Sequence, residues 1–249
     1  MALLEIIGVT VEFSGFRALR DLDLAVQEGE LRCLIGPNGA GKTTTLDVIC
    51  GKARASAGKV VFNGRQIEWL DEHRIARLGI ARKFQVPSVF RELAVADNLH
   101  VAHCKQPGVL SNLRTRRGMR AAEELEKLAE FVGLKDQFRL PADTLSHGQT
   151  QWLEIAMLMA QDAQLILLDE PTAGMTALET RKTADLCKRL AGRHTLIVVE
   201  HDMGFIKEIA GVISVMHQGR LLAQGSVSEI EANPEVRRAY LGSGGIGGA

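Results

Sequence analysis

Gly36-Pro37-Asn38-Gly39-Ala40-Gly41-Lys42-Thr43 has the residue types and spacing of a triphosphate cradle. Glycines let successive backbone N–H groups turn toward phosphate oxygens, and a helix starting there adds unpaired N–H groups and a positive dipole end. Lys42 is a mobile charge for the β- and γ-phosphates. The Thr43 hydroxyl is a ligand for Mg²⁺. Binding becomes hydrolysis only with a metal carboxylate and a means of activating water. Leu165-Ile166-Leu167-Leu168-Asp169-Glu170 offers two acids at the end of an apolar run. Neighbouring strand residues point to opposite faces, so the two acids have different tasks: Asp169 for Mg²⁺, Glu170 for the attacking water. His201, after another apolar run, can hydrogen-bond a γ-phosphate oxygen or that water, although such a histidine can equally be structural. Ser146, in Leu145-Ser146-His147-Gly148-Gln149, is a helix N-cap, an anion ligand, or both. Gln85 has an amide able to ligate Mg²⁺. Phe13 or Phe16 can stack on a base, with core packing as the ordinary alternative.

These residues need elements to hold them. Leu31 to Ile35 predicts a strand entering the loop, and Thr44 to Gly51 a helix leaving it. Leu165 to Leu168 and Thr195 to Val199 predict fully buried strands. Helices are predicted over 120–132, 149–159 and 178–190, and a hairpin over 212–223 through Gln218-Gly219. The first sixty residues alternate as strands, Leu4 to Phe13, Leu22 to Val26 and Lys59 to Phe62, with glycine turns between; this predicts an antiparallel sheet beside the core. Residues 89–160 change character and read as a helical insertion. Within it, Lys105 to Arg117 carries Pro107, Gly108 and several basic residues, as a solvated loop or broken helix does.

Composition narrows the class. The chain has 249 residues, 46% hydrophobic and 24% charged, with Lys plus Arg and Asp plus Glu both 30. This balance gives no field aimed at nucleic acid. Cys33, Cys50, Cys104 and Cys187 are scattered, with no zinc or disulfide spacing, and read as thiols in a reducing compartment. The opening residues lack a basic, apolar leader pattern, and no apolar stretch approaches a membrane span. Residues 243–249 are a Gly-rich tail expected to be flexible.

Taken in order, Phe13, the loop at 36–44, Gln85, Leu145 to Gln149, Leu165 to Glu170 and His201 resemble an ABC-type ATPase subunit. The resemblance spans about residues 4–242, a single ABC ATPase domain, and the LSxGQ element is its most specific part. It implies an α/β P-loop NTPase core with an antiparallel β subdomain and an α-helical signature subdomain. It implies ATP and Mg²⁺ as cofactors. Phe13 would stack on adenine. Gly36, Pro37, Asn38, Gly39, Ala40, Gly41, Lys42, Thr43 and Thr44 would hold the phosphates. Thr43, Gln85 and Asp169 would serve the metal. Glu170, His201 and Gln85 would serve hydrolysis. Ser146, His147, Gly148 and Gln149 would act on the nucleotide of an opposite subunit. His147 stands where the signature usually has Gly, and Ala173-Gly174-Met175-Thr176 replaces the usual Ser-Ala-Leu-Asp of the D-loop.

Arg82-Lys83-Phe84-Gln85, the basic insertion near 103–120, Glu200-His201-Asp202-Met203 and Arg238-Ala239-Tyr240-Leu241-Gly242 are similar to the branched-chain amino-acid and amide importers. Within that branch, residues 46–52, 83–89, 146–155 and 171–175 look most like the urea-transport ATPase. The implied partners are a second ATPase chain, different or a head-to-tail copy, transmembrane permease subunits and, indirectly, a periplasmic binding protein. The implied place is the cytoplasmic face of the inner membrane. The expected role is powering import of urea or short amides, with a branched-chain amino-acid importer or another ABC transport system as the alternative.

Overall fold

The computed structural model describes residues 2–83, 89–103 and 115–241, with side chains described from Ala122 onward in the last stretch and to Tyr240. Gln85, Cys104, the basic residues before Thr115 and the Gly-rich tail lie outside the described residues. The elements are, in order, β1 (Ala2–Phe13), β2 (Phe16–Gln27), β3 (Leu31–Ile35), α1 (Lys42–Ile49), β4 (Ala57–Phe62), β5 (Arg65–Gln66), α2 (Glu72–Arg77) and β6 (Ile80–Lys83). Then follow α3 (Val95–His103), α4 (Thr115–Phe131), a short 3₁₀ turn (Ala142–Thr144), α5 (His147–Ala160), β7 (Leu165–Asp169), α6 (Ala177–Leu190) and β8 (Thr195–Val199). The chain closes with α7 (Met203–Ile209), β9 (Val212–His217), β10 (Arg220–Gly225), α8 (Val227–Ala232) and α9 (Pro234–Leu241).

Two sheets form. The larger has the order β10-β9-β3-β8-β7-β6, parallel except for the antiparallel edge strand β10. The smaller is the antiparallel order β2-β1-β4-β5. β3, β7 and β8 are buried at every position, which is why they read as unbroken apolar runs. Their alternate residues enter different cores. Leu34, Leu165, Leu167, Ile197 and Val199 pack with the antiparallel sheet and α1, including Leu4, Leu22, Phe62, Leu46 and Ile49. Cys33, Ile166, Leu168, Leu196 and Val198 pack with the helical side, including Leu99, Leu125, Ile155 and Leu190. A one-residue slip of any of these strands would exchange the two cores.

The sequence expectations differ from the structure chiefly at element ends. β2 begins at Phe16 rather than Leu22, because its pairing with β1 continues through several register shifts up to Phe13–Phe16. α1 begins at Lys42, two residues earlier than predicted, with Gly41 as N-cap at φ 104°. α5 begins at His147, capped by Ser146 in a reciprocal capping box with Gln149. Part of the stretch expected as a loop or broken helix, from Thr115, is α4.

Candidate functional site: a phosphate loop facing two acids

The loop between β3 and α1 sits at the C-terminal edge of the parallel sheet, where open α/β sheets place their ligands. Gly36 is required by close approach: a Cβ there would meet the Met216 carbonyl oxygen at 2.2 Å. Lys42 Nζ donates to the carbonyls of Gly36 at 2.7 Å and Pro37 at 3.1 Å, so the ammonium curls over its own loop. Burial lowers its pKa below the usual lysine value, opposed by the charges of Glu170 and Asp169. The loop after β3 and the end of β7 lie at the same sheet edge, with β8 between the two strands.

Asp169 is 2% exposed and Glu170 is on the rim. Glu170 holds φ 48°, a left-handed conformation uncommon for a non-glycine residue, and its N–H donates to the Val199 carbonyl at 2.9 Å. His201 Nδ1 lies 3.5 Å from Glu170 Oε1, and the imidazole is largely exposed. Phe13 and Phe16 face each other across the β1–β2 turn, and both are exposed, so neither is a core residue.

Glu200 was not singled out from the sequence as a site residue, yet it organises this edge. It is 1% exposed. Its Oε1 accepts from the Thr172 N–H and hydroxyl, and its Oε2 accepts from the His201 N–H at 3.0 Å. One buried carboxylate thereby ties the turn after Glu170 to the histidine. Its only sequence signal is an acid directly after a buried strand. Asp202 then caps α7 by accepting from Gly204 and Phe205 N–H groups.

The candidate signature residues lie elsewhere. Among the described residues, no hydrogen bond or ion pair joins 146–149 to 36–44. Ser146 Oγ donates to Glu179 Oε1 at 3.0 Å. Glu179 also accepts from the Thr176 N–H and hydroxyl in the capping box of α6. Its pKa is held down first by the Thr176 N–H, then by the hydroxyls of Thr176 and Ser146. A Cβ on Gly148 would meet Glu179 Oε1 at 2.5 Å, so glycine is what lets a carboxylate oxygen approach the start of α5. His147 Nε2 lies 2.9 Å from the Ala173 carbonyl, bridging the signature and the D-loop position. The non-glycine residue of the signature is thus a tether within the chain.

The donor set suits Mg²⁺. Thr43 and Asp169 would supply hard oxygen ligands, and among the described residues no group of three or more His, Cys, Asp or Glu forms a protein cage. Mg²⁺ prefers this arrangement, sharing its shell with phosphate oxygens and water.

The ABC transporter family model matches residues 19–173. The chain belongs to the ABC transporter family. It is an ATPase subunit of that family, coupling ATP hydrolysis to transport. A second family model, Branched-chain amino acid ATP-binding cassette transporter, matches residues 220–246. The chain is 38% identical to the high-affinity branched-chain amino acid transport ATP-binding protein LivG of Salmonella typhimurium, covering 96% of this chain and 98% of that protein. It is 33% identical to a probable LivG of Archaeoglobus fulgidus, covering 98% and 96%. Its fold matches the ADP conformation of MJ1267, an ATP-binding cassette of an ABC transporter, with a TM-score of 0.85, 27% identity and coverage of 97% and 99%. The ATPase therefore sits in the branched-chain amino-acid transporter branch. These matches favour the amino-acid alternative over the urea reading expected from sequence.

Proposed function

We propose that this ATPase binds ATP in the loop at 36–44 and powers import of branched-chain amino acids. The observation that carries the site reading is the convergence of Lys42 with Asp169 and Glu170, with His201 beside Glu170. In this reading adenine stacks on Phe13, and Lys42 exchanges two loop carbonyls for phosphate oxygens. Thr43 and Asp169 would hold Mg²⁺, with Gln85 beyond the described residues; the ion, when bound, neutralises charge on the β- and γ-phosphates. Glu170 accepts a proton from the attacking water, and His201 contacts the γ-phosphate. Ser146 and Gly148, backed by the start of α5, serve the nucleotide of a second ATPase chain, different or a head-to-tail copy. Permease subunits would dock at the cleft lined by Glu72, His73, Lys83, Glu154 and Gln161. Among the described residues no helix is long and apolar enough to cross a membrane. The ATPase would then act at the cytoplasmic membrane face through those subunits, with a periplasmic binding protein on the other side.

The amino-acid substrate is supported by the 220–246 match and the LivG relatives. A second reading, urea or short amides, is favoured by the residues at 146–155 and 171–175, including His147. The test is ATPase activity of the complex co-purified with its permease, with the binding protein loaded with leucine or urea. Stimulation by leucine supports the first reading, stimulation by urea alone replaces it with the second, and stimulation by neither removes both.

A further inference from the structure

Arg82 carries no role in the sequence reading of the site, yet it reaches two of the site's elements. It lies on β6, three residues before Gln85, with its side chain 5% exposed. Nη2 donates to Asp169 Oδ2 at 3.0 Å, and Nη1 donates to Asp47 Oδ1. Nη1 also lies 3.5 Å from Cys50 Sγ. Asp47 is on α1, the helix that leaves the phosphate loop, and Asp169 ends β7. One planar cation thus spans three elements and fixes the carboxylate proposed for the metal relative to the helix that carries the phosphate ligands. Burial works against the guanidinium charge, and the hydrogen bonds to Asp47 and Cys50 with the charge of Asp47 outweigh it, so Arg82 stays charged.

Stability alone is a poor reason for this arrangement. Desolvating a buried ion pair offsets much of its attraction, and apolar replacements of similar volume are often neutral or better. What the fork supplies is direction. Two N–H groups on one rigid plane hold two carboxylates in divergent positions, which a lysine cannot do. Groups that orient a metal-binding carboxylate typically influence metal affinity by ten- to a hundredfold.

We infer that Arg82 is a positioning residue of the hydrolytic site, holding Asp169 in register with α1 so that its carboxylate meets Mg²⁺ at the phosphates. The inference rests on Asp169 being the metal carboxylate. It gives a use to the Asp47–Arg82–Asp169 bridge, whose members sit 35 and 87 residues apart.

The experiment titrates MgCl₂ against trinitrophenyl-ATP fluorescence on the full chain, for wild type, Asp169→Asn, Arg82→Met and Arg82→Lys, with thermal melts alongside. Asp169→Asn is the reference and should raise the Mg²⁺ half-saturation. Arg82→Met should raise it about tenfold or more, and Arg82→Lys by less, with nucleotide affinity in EDTA unchanged in both. If Arg82→Met does not fold, the lysine variant carries the comparison. A shifted Asp169→Asn beside unshifted Arg82 variants overturns the inference, whatever the melting temperatures do. An unshifted Asp169→Asn removes the carboxylate reading, and the inference falls with it.

Discussion

Glu170 combines a left-handed backbone with a side chain aimed at the histidine 3.5 Å away. An L-residue in that region costs about 1 kcal/mol, and such strain persists where the surroundings over-determine it, as at working sites. Here β7 pairs with β8 as far as Asp169–Val199, and the Glu170 N–H is held by the Val199 carbonyl. Glu170→Gln keeps shape and backbone preference while removing the proton acceptor. ATP affinity should stay within about twofold while turnover falls at least about a hundredfold. Equilibrium nucleotide binding and phosphate release measure the two. Turnover at the wild-type rate would take Glu170 out of the base role.

At the scale of elements, α5 and α6 are joined at their N-termini and along their lengths. Ser146 caps α5 and donates to Glu179 of α6, and Trp152 Nε1 donates to Thr183 Oγ1 at 2.9 Å. Thr176 caps α6; its N–H is the first cause of the lowered Glu179 pKa and its hydroxyl, the group an alanine removes, is the second. Thr176→Ala should destabilise the chain by about 1 kcal/mol, read by urea denaturation at pH 7. Phosphate-loop affinity for ATP should not change. The pH dependence follows from the direction of the shift. A carboxylate held below its unfolded value of 4.5 stabilises the fold above that pH, and the contribution fades as pH falls through the folded value. Removing the Thr176 cap should flatten part of the acid limb. An acid limb identical to wild type would show that Glu179 is anchored by other groups.

The whole molecule is organised by a sheet with two cores, and the helical-side core holds two thiols. Cys33 on β3 and Cys187 on α6 are fully buried, and their pKa values are raised from 9.0 to about 12. Burial is the first cause for both. Neighbouring Cys187 and Glu200 add to it at Cys33, and Glu200 adds to it at Cys187. Both groups favour the folded state as neutral thiols below pH 9, and that advantage is lost as pH rises toward 12. Stability should therefore fall between pH 9 and 12. Cys187→Ala should show a shallower alkaline limb in denaturation curves taken at stepped pH. At pH 8, iodoacetamide should leave both thiols of the native chain unmodified, checked by mass spectrometry. Rapid native labelling of either would contradict its burial.

Much was legible in the residues because local chemistry is written in adjacent positions. The loop at 36–43 needs glycines, a lysine and a threonine in one order. β3, β7 and β8 announce themselves because both their faces are buried. The Ser146 cap stands directly before the helix it starts, and the structure adds its reciprocal partner Gln149 and a second cap of the same kind at Thr176. The roles of three neighbouring groups, Arg82, Glu200 and Glu179, escaped because each acts through a partner distant in the chain. Arg82 finds Asp169, Glu200 finds Thr172, and Glu179 finds Ser146, across separations of 87, 28 and 33 residues. No spacing rule encodes such pairs; they exist only once β6, β7 and β8 lie side by side and α6 packs beside α5. The sequence alone determined that this chain is an ABC-type ATPase, because the loop at 36–43, Leu145 to Gln149 and Leu165 to Glu170 stand in that order. The tertiary structure decided how the acids Asp169 and Glu170 are held, because a buried charge takes its orientation from whatever the fold places against it.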